Sequence, residues 1–362
     1  MKRFYKGLRR FAAVLIGLVF FFAGTVKLMD PVGAGLVVAE YLKFMHLTFL
    51  LGISKFLGVA CALVETVVGA ALVSGVWRKA TGIVSGLMLS FFTILTFFLW
   101  VLNPEMDCGC FGEAIHLTHA QSLVKNLVLM ALWLLAFLPL SELGKTRRLG
   151  KVSFWLVTVS TLLFMLWSLL SIPLIDFTPF SPGAELYAAT SLEEEPEDWD
   201  LSENMSVALP FSDASGEYCD ELACEGSVNV ISVYAPESLS EKDWQKISEF
   251  MDLSAEYCCT PLLLVASTPE RLEGQVPGTV LMRTYYADRK TLMTLNRSNG
   301  GVSFIGDAQI VAKWSFNSLP DGDVLSQYAQ SNPTESMVRF SSRAHTRMQA
   351  YLLYVTAVLL LL

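Results

Sequence analysis

The chain has 362 residues, 53% hydrophobic and only 17% charged, where a soluble domain carries roughly 25% charged residues. Its net charge of -8 and the lack of a basic stripe exclude a nucleic-acid footprint. Residues 1–175 hold 15 Lys/Arg and 7 Asp/Glu, whereas residues 176–362 hold 11 and 27, so a basic apolar half precedes an acidic half.

Lys2, Arg3, Lys6, Arg9 and Arg10 precede the uncharged run Phe11 to Val26. Lys27 and Asp30 follow without a small-x-small cleavage site, and further apolar runs come later, so this run reads as a retained helix rather than a signal peptide. Spans are expected at about 56–76, 81–102, 120–140 and 152–175, each long enough at ~1.5 Å per residue to cross a hydrocarbon core of about 30 Å. The basic tail, the Arg78-Lys79 turn and the loop with Lys145, Arg147, Arg148 and Lys151 alternate along these spans and are assigned to the cytoplasm. The loop at 103–113 and everything after Asp176 then face outward, which in a Gram-negative cell is the periplasm. The expected localisation is the inner membrane, multi-pass, in a compartment that permits disulfides.

The outward loop contains Cys108-Gly109-Cys110. A Cys-x-Cys pair is a poor staple, because closing so small a ring removes little entropy, and its strain makes a disulfide exchangeable. Thr118-His119-Ala120-Gln121 reads as a capping box, placing the loop near a helix N-terminus whose dipole favours a thiolate. Exchange with a partner dithiol is therefore the first reading, with free or loop-shaping cysteines as the bland one. The set Cys108, Cys110, His116 and His119 is the metal alternative, suited to zinc or copper, although its spacing departs from the usual ligand pattern. Glu65 lies near the middle of the second span, where an acid is costly and marks either a proton relay to a quinone or a neutral carboxyl joining helices. Lys27 and Asp30 read as snorkelling residues at a helix end, and Cys61 as a small packing residue.

Residues 177–226, with the run Glu193-Glu194-Glu195-Pro196-Glu197-Asp198, read as an acidic linker. Within it, Cys219 and Cys224 suggest a local structural disulfide. Cys258-Cys259 are adjacent and rarely bond each other. Strands are expected at Val228 to Tyr234, Pro261 to Ala266 and Thr279 to Tyr286. Helices are expected at Ser240 to Tyr257 and near 288–296. A hairpin at Gly306-Asp307 and a closing helix at Asp321 to Gln330 complete a pattern compatible with a thioredoxin-like α/β domain over 227–335. Met348 to Leu362 carries no charge and is a candidate C-terminal membrane segment, short for a full span.

Three stretches, Phe22-Ala23-Gly24-Thr25-Val26-Lys27-Leu28-Met29-Asp30-Pro31, Leu63-Val64-Glu65-Thr66-Val67-Val68-Gly69-Ala70-Ala71-Leu72 and Asp107-Cys108-Gly109-Cys110-Phe111-Gly112, resemble the DoxX-like superfamily and most closely its methylamine utilisation MauE branch. Ile172-Pro173-Leu174-Ile175-Asp176-Phe177-Thr178-Pro179-Phe180 resembles the Bacteroidetes version, which adds a fifth helix and a periplasmic domain. The resemblance implies a four-helix membrane domain at 1–145, related to vitamin K epoxide reductase-like and thiosulfate:quinone oxidoreductase proteins, followed by a fifth helix at 146–176. It also implies a role in oxidative maturation of a disulfide-rich periplasmic enzyme. The thioredoxin likeness is looser. Where that family has Cys-x-x-Cys the chain has Tyr234-Ala235-Pro236-Glu237-Ser238, and Gly300-Gly301 stands in place of the cis-proline.

The expected function is an inner-membrane thiol-disulfide oxidoreductase or maturation factor. Cys108 and Cys110 would take electrons from a periplasmic partner and pass them to a membrane carrier, a quinone near Glu65. One alternative is a non-enzymatic scaffold whose outer domain holds a partner, and another is a subunit of a sulfur-compound:quinone oxidoreductase.

Overall fold

The computed structural model describes residues 2–104, 106, 108–139, 148–188, 206–273, 276, 278–330, 346–358 and 360. The chain divides into two compact units, residues 1–169 with 350–362, and residues 170–349.

The first unit is helical, with α1 (Lys2–Met29), α2 (Pro31–Phe44), α3 (Ser54–Ser74), α4 (Arg78–Leu102), α5 (His119–Phe137), α6 (Arg148–Leu170) and a C-terminal α12 (346–358). Among the described residues, five helices are long and apolar enough to cross a membrane: Phe4–Met29, Thr48–Ser74, Arg78–Leu102, His119–Phe137 and Gly150–Leu170. These agree with the five expected spans to within a turn or two, apart from the longer N-terminal ends of the first two.

Between α1 and α3 the packing is tight. A Cβ on Gly69 would stand 2.4 Å from the Phe21 nitrogen, and one on Gly24 would stand 2.2 Å from Thr66 Oγ1. Small residues give such close approach, and dispersion then does the work that water would do elsewhere. Side-chain hydrogen bonds join α4 to α5. Asn126 Nδ2 donates to the Phe92 carbonyl at 3.2 Å and to Thr96 Oγ1 at 3.1 Å, and Trp133 Nε1 donates to the Gly82 carbonyl at 2.8 Å.

One feature departs from expectation. Lys27 and Asp30 read as the end of a helix with no element assigned to 31–44, yet Asp30 caps a new helix, accepting from the Gly33 nitrogen at 2.9 Å with Pro31 in the first turn. At the other end of the chain, in the candidate C-terminal segment, α12 packs onto the bundle: Ser160 Oγ donates to the Tyr354 hydroxyl at 3.0 Å, and the Phe164 and Tyr354 rings stack at 5.5 Å.

The second unit is built on a seven-stranded sheet of order β3-β2-β8-β7-β4-β5-β6. Its strands are β2 (Glu185–Tyr187), β3 (Ser206–Ala208), β4 (Ser227–Val233), β5 (Thr260–Val265), β6 (Thr284–Tyr286), β7 (Gly301–Gly306) and β8 (Gln309–Trp314); β1 (Cys110–Glu113) belongs to the helical unit. β4, β5 and β6 run parallel, whereas β7 pairs antiparallel with β4 and β8. Alternation in β4 divides its side chains between two cores. Val228 and Val230 meet Leu292 and Leu295 of α10 (Arg289–Leu295), and Ile231 and Val233 meet Trp244, Ile247 and Met251 of α7 (Glu241–Glu256). Ser240 caps α7 through a reciprocal capping box with Asp243. Asp307 and Ala308 take left-handed backbone angles at the hairpin, φ 46° and 65°. The closing helix is α11 (Gly322–Gln330).

Three expectations for this unit need correction. The strand at Thr279 to Tyr286 is confined to β6, because Gly278–Leu281 forms a helical turn, and so short an apolar run does not distinguish the two. The linker at 177–226 is partly core: Phe180, Ala184, Leu186, Leu209, Phe211 and Ala223 are buried, and β2 and β3 extend the sheet. The acidic run at 193–198 lies outside the described residues. Cys219 and Cys224 are free thiols, and each directs its sulfur to a backbone carbonyl, Glu217 and Asp220 respectively.

Asp176 secures the entry to the sheet. Its carboxylate accepts from Lys313 Nζ at 2.6 Å and from the Thr178 nitrogen at 2.9 Å. Burial alone would raise this carboxyl, but Lys313 and Thr178 outweigh burial and hold it below the ordinary range. A depressed carboxyl stabilises the fold above its unfolded pKa of about 3.9, and that stabilisation fades as the pH falls through the lower folded value. Asp176→Asn is expected to lower stability at pH 7 by about 2–3 kcal/mol, and the deficit should shrink below about pH 4, measured by thermal unfolding of the full chain in detergent.

Candidate functional site

The loop after α4 is folded tightly by its own sequence. Asn103, Gly109 and Gly112 take left-handed backbone angles, φ 42°, 57° and 61°. At Gly109 a Cβ would stand 2.2 Å from Val37 Cγ1 of α2, so only glycine fits between the cysteines. Thr118 and Gln121 form the expected capping box at the start of α5. The Tyr41 hydroxyl, also on α2, donates to the Cys108 carbonyl and lies 4.0 Å from its sulfur.

Cys108 Sγ and Cys110 Sγ are 3.2 Å apart, in contact as thiols but beyond the bonded distance of about 2.05 Å. Cys108 is buried and Cys110 half-buried. Within the pair the two thiols shift in opposite directions. The Cys108 thiol hydrogen-bonds to Cys110 and outweighs burial in lowering the Cys110 pKa, and Lys125 and Lys27 lower it further. The same hydrogen bond and burial push Cys108 up. Lys125 Nζ also lies 4.8 Å from the centre of the Phe111 ring, which contacts Phe22 at 6.0 Å.

Both cysteines line a cavity of about 320 Å³ whose wall also includes Lys27, Cys61, Glu65 and Lys125. Apolar side chains from α1, α2, α3 and α4 form most of the remainder, with Asn126 and Thr96 as neutral polar groups. Lys27 does not snorkel. Its ammonium donates to both Glu65 oxygens, at 3.0 and 2.9 Å, with side chains 14% and 5% exposed. The sequence reading missed Lys27, Tyr41 and Lys125. For Lys27 a signal existed: it lies three residues after Gly24 on the α1 face that meets α3, and Glu65 adjoins Thr66, which Gly24 touches.

The histidines do not join the sulfurs. His119 Nε2 is 2.9 Å from the Met106 carbonyl and Nδ1 is 3.2 Å from Asn103 Oδ1, so both ring nitrogens serve the loop. Among the described residues no group of three or more His, Cys, Asp or Glu side chains gathers in a metal-ligating arrangement.

Residues 6–140 match the family model of methylamine utilisation protein MauE. The MauE match begins in α1 and ends just past α5, so it contains every side chain of the cavity and stops short of α6 and the second unit. No curated protein matches the chain, and no solved structure does.

Proposed function

We propose that the MauE-type half is a membrane thiol-disulfide oxidoreductase that draws electrons from a partner's thiols through Cys108 and Cys110 and passes them to a carrier in the adjoining cavity. The observation that carries this reading is the single cavity bounded by two touching sulfurs and by the Lys27–Glu65 pair. A partner dithiol reduces the Cys108–Cys110 disulfide by exchange, leaving the partner oxidised and the pair as one thiol and one thiolate. The negative charge rests on Cys110, where Lys125 steadies it. Reclosing the disulfide returns two electrons and the Cys108 proton.

A quinone fits the cavity by its mostly apolar wall and its few polar groups, and when bound it supplies an acceptor for two electrons and two protons. Asn126 and Lys125 are the residues placed to hold its polar edge. Since the reduced pair releases only the Cys108 proton, the second proton must come from elsewhere, and Lys27 with Glu65 is the ionisable pair in the same wall. This gives the intramembrane acid a task, namely to hold Lys27 as a proton donor. The name of the matched family ties it to methylamine utilisation, so a disulfide-bearing enzyme exported for amine oxidation is a natural partner.

The outer unit is assigned a docking role. Its β8-β7-β4-β5 order, with parallel β4 and β5 and an antiparallel hairpin, supports a thioredoxin-like reading. At the β4–α7 junction, where such domains carry a dithiol, Asn299 instead stitches the backbone, accepting from the Tyr234 and Ala235 nitrogens at 2.9 and 3.0 Å. The inner membrane and the periplasm follow from the loop charges as the expected setting.

The test is alkylation trapping in native membranes. Cys108 and Cys110 should be mostly oxidised when quinone is present and accumulate reduced when the strain makes none. Cysteines that stay reduced in both strains would sink the reading and leave the scaffold role.

A further inference from the structure

In the helical unit the hydroxyls of Thr25, Thr66, Ser74, Thr93, Thr96 and Thr161 each donate to the carbonyl four residues back, the usual outlet for such a group inside a helix. Ser122, in the first turn of α5, does not. Its backbone nitrogen bonds the Thr118 carbonyl at 3.0 Å, but its side chain is fully buried and the hydroxyl oxygen has no hydrogen-bond partner. The group this hydroxyl faces is the Cys108 sulfur, whose anionic form it favours. From α2 the Tyr41 hydroxyl comes within 4.0 Å of the same sulfur while donating to the Cys108 carbonyl. Neutral hydroxyls thus converge on Cys108, whereas Lys125 and Lys27 act on Cys110.

In the exchange proposed above, on which this role rests, one loop sulfur accepts the new bond and the other leaves as a thiolate. Cys110 is half-buried and Cys108 buried, so the partner's thiolate reaches Cys110 and expels Cys108. A thiolate released where water is excluded is costly without a donor to meet it. We infer that the Ser122 hydroxyl is the donor that receives the leaving Cys108 thiolate, with Tyr41 fixing the Cys108 backbone. The Cys108–Cys110 bond breaks with its electron pair on Cys108. That thiolate then takes the proton of the partner's second thiol, whose sulfur closes on the first to complete the partner's disulfide and releases Cys110 as a thiolate. A neutral donor suits the step, because it stabilises the charge while it lasts and does not oppose the later protonation of Cys108. A hydroxyl with nothing to bond in the resting loop is thereby kept for the transition state.

The test takes the full chain in mild detergent with its loop oxidised, reduces it with dithiothreitol, and follows the loop cysteines by differential alkylation and peptide mass spectrometry. Ser122→Ala is expected to slow reduction about tenfold or more, and to slow reoxidation by oxidised dithiothreitol by the same factor, because a contact made only in the transition state lowers both rates together. The loop's redox potential should stay as in the parent. So should the thermal midpoint, since the hydroxyl removed has no partner in the resting state. Ser122→Thr keeps a hydroxyl and should restore most of the rate. If Ser122→Ala unfolds early, the isosteric pair Ser122→Thr and Ser122→Val carries the same comparison. Unchanged rates without the hydroxyl, or a slowing matched by a shifted potential, would overturn the role and leave Ser122 as a packing residue. A loop that forms no disulfide under any condition would sink the oxidoreductase reading itself, and this role with it.

Discussion

Cys110→Ser is expected to abolish partner oxidation, by about a thousandfold or more, because the loop then has no second sulfur with which to close a disulfide. The variant should leave Cys108 able to attack the disulfide of an oxidised partner, forming a mixed disulfide and freeing one partner thiol, with no second loop cysteine to resolve it, so a partner protein accumulates in a non-reducing gel and is released by reductant. Cys108→Ser should be equally inactive but should differ in its remaining thiol. Its Cys110 loses the hydrogen bond that most lowers its pKa and retains Lys125 and Lys27. Alkylation of Cys110 in the parent should therefore persist below the ordinary thiol pKa of about 8.5, and its midpoint should move upward in Cys108→Ser. If partner oxidation survives in both variants, the outer unit and not the loop carries the function.

The second large effect concerns Lys27 and Glu65. Removing one member leaves an uncompensated charge among apolar helices, so Glu65→Leu alone should cost about 3–5 kcal/mol and deplete folded protein in the membrane. The double variant Lys27→Met with Glu65→Leu removes both charges at similar volume and should regain most of that stability, since apolar replacement of a whole buried pair is often neutral. Stability and turnover should then part company. The double variant should fold, keep the oxidised loop competent to exchange with a thiol once, and fail to be reoxidised. A fully active double variant would reduce the pair to a helix clamp and remove its role in proton supply.

The helical unit was legible because its signals are local. Apolar runs of membrane length and the Thr118–Gln121 capping box each depend on a few neighbouring residues, and both appear in the structure. The Lys27–Glu65 contact was not legible in the same way. Periodicity tells which face of α1 holds Lys27, but the register between α1 and α3 is set by Gly17, Gly24 and Gly69 together. α2 was hidden by Pro31, which ends one helix and equally begins another. In the outer unit, three-residue strands such as β2 and β3 are too short to show alternation, and the acidic run between them coloured its neighbours as linker. The motif from Ile172 to Phe180 took its meaning only from the sheet: Asp176 meets Lys313 and Phe180 enters the core.

The position of α12 sets a rule for how this protein comes apart. The sheet-bearing unit is an insertion, leaving the helical unit after α6 and returning to it at α12. Such a domain is held at both ends, as a handle is. A protease that cuts once between β3 and β4 leaves the larger piece still moored through Tyr354 and its neighbours, so shedding into the surrounding solution requires two cuts. The sheet-bearing unit would thus stay attached after damage that would free a domain tethered at one end.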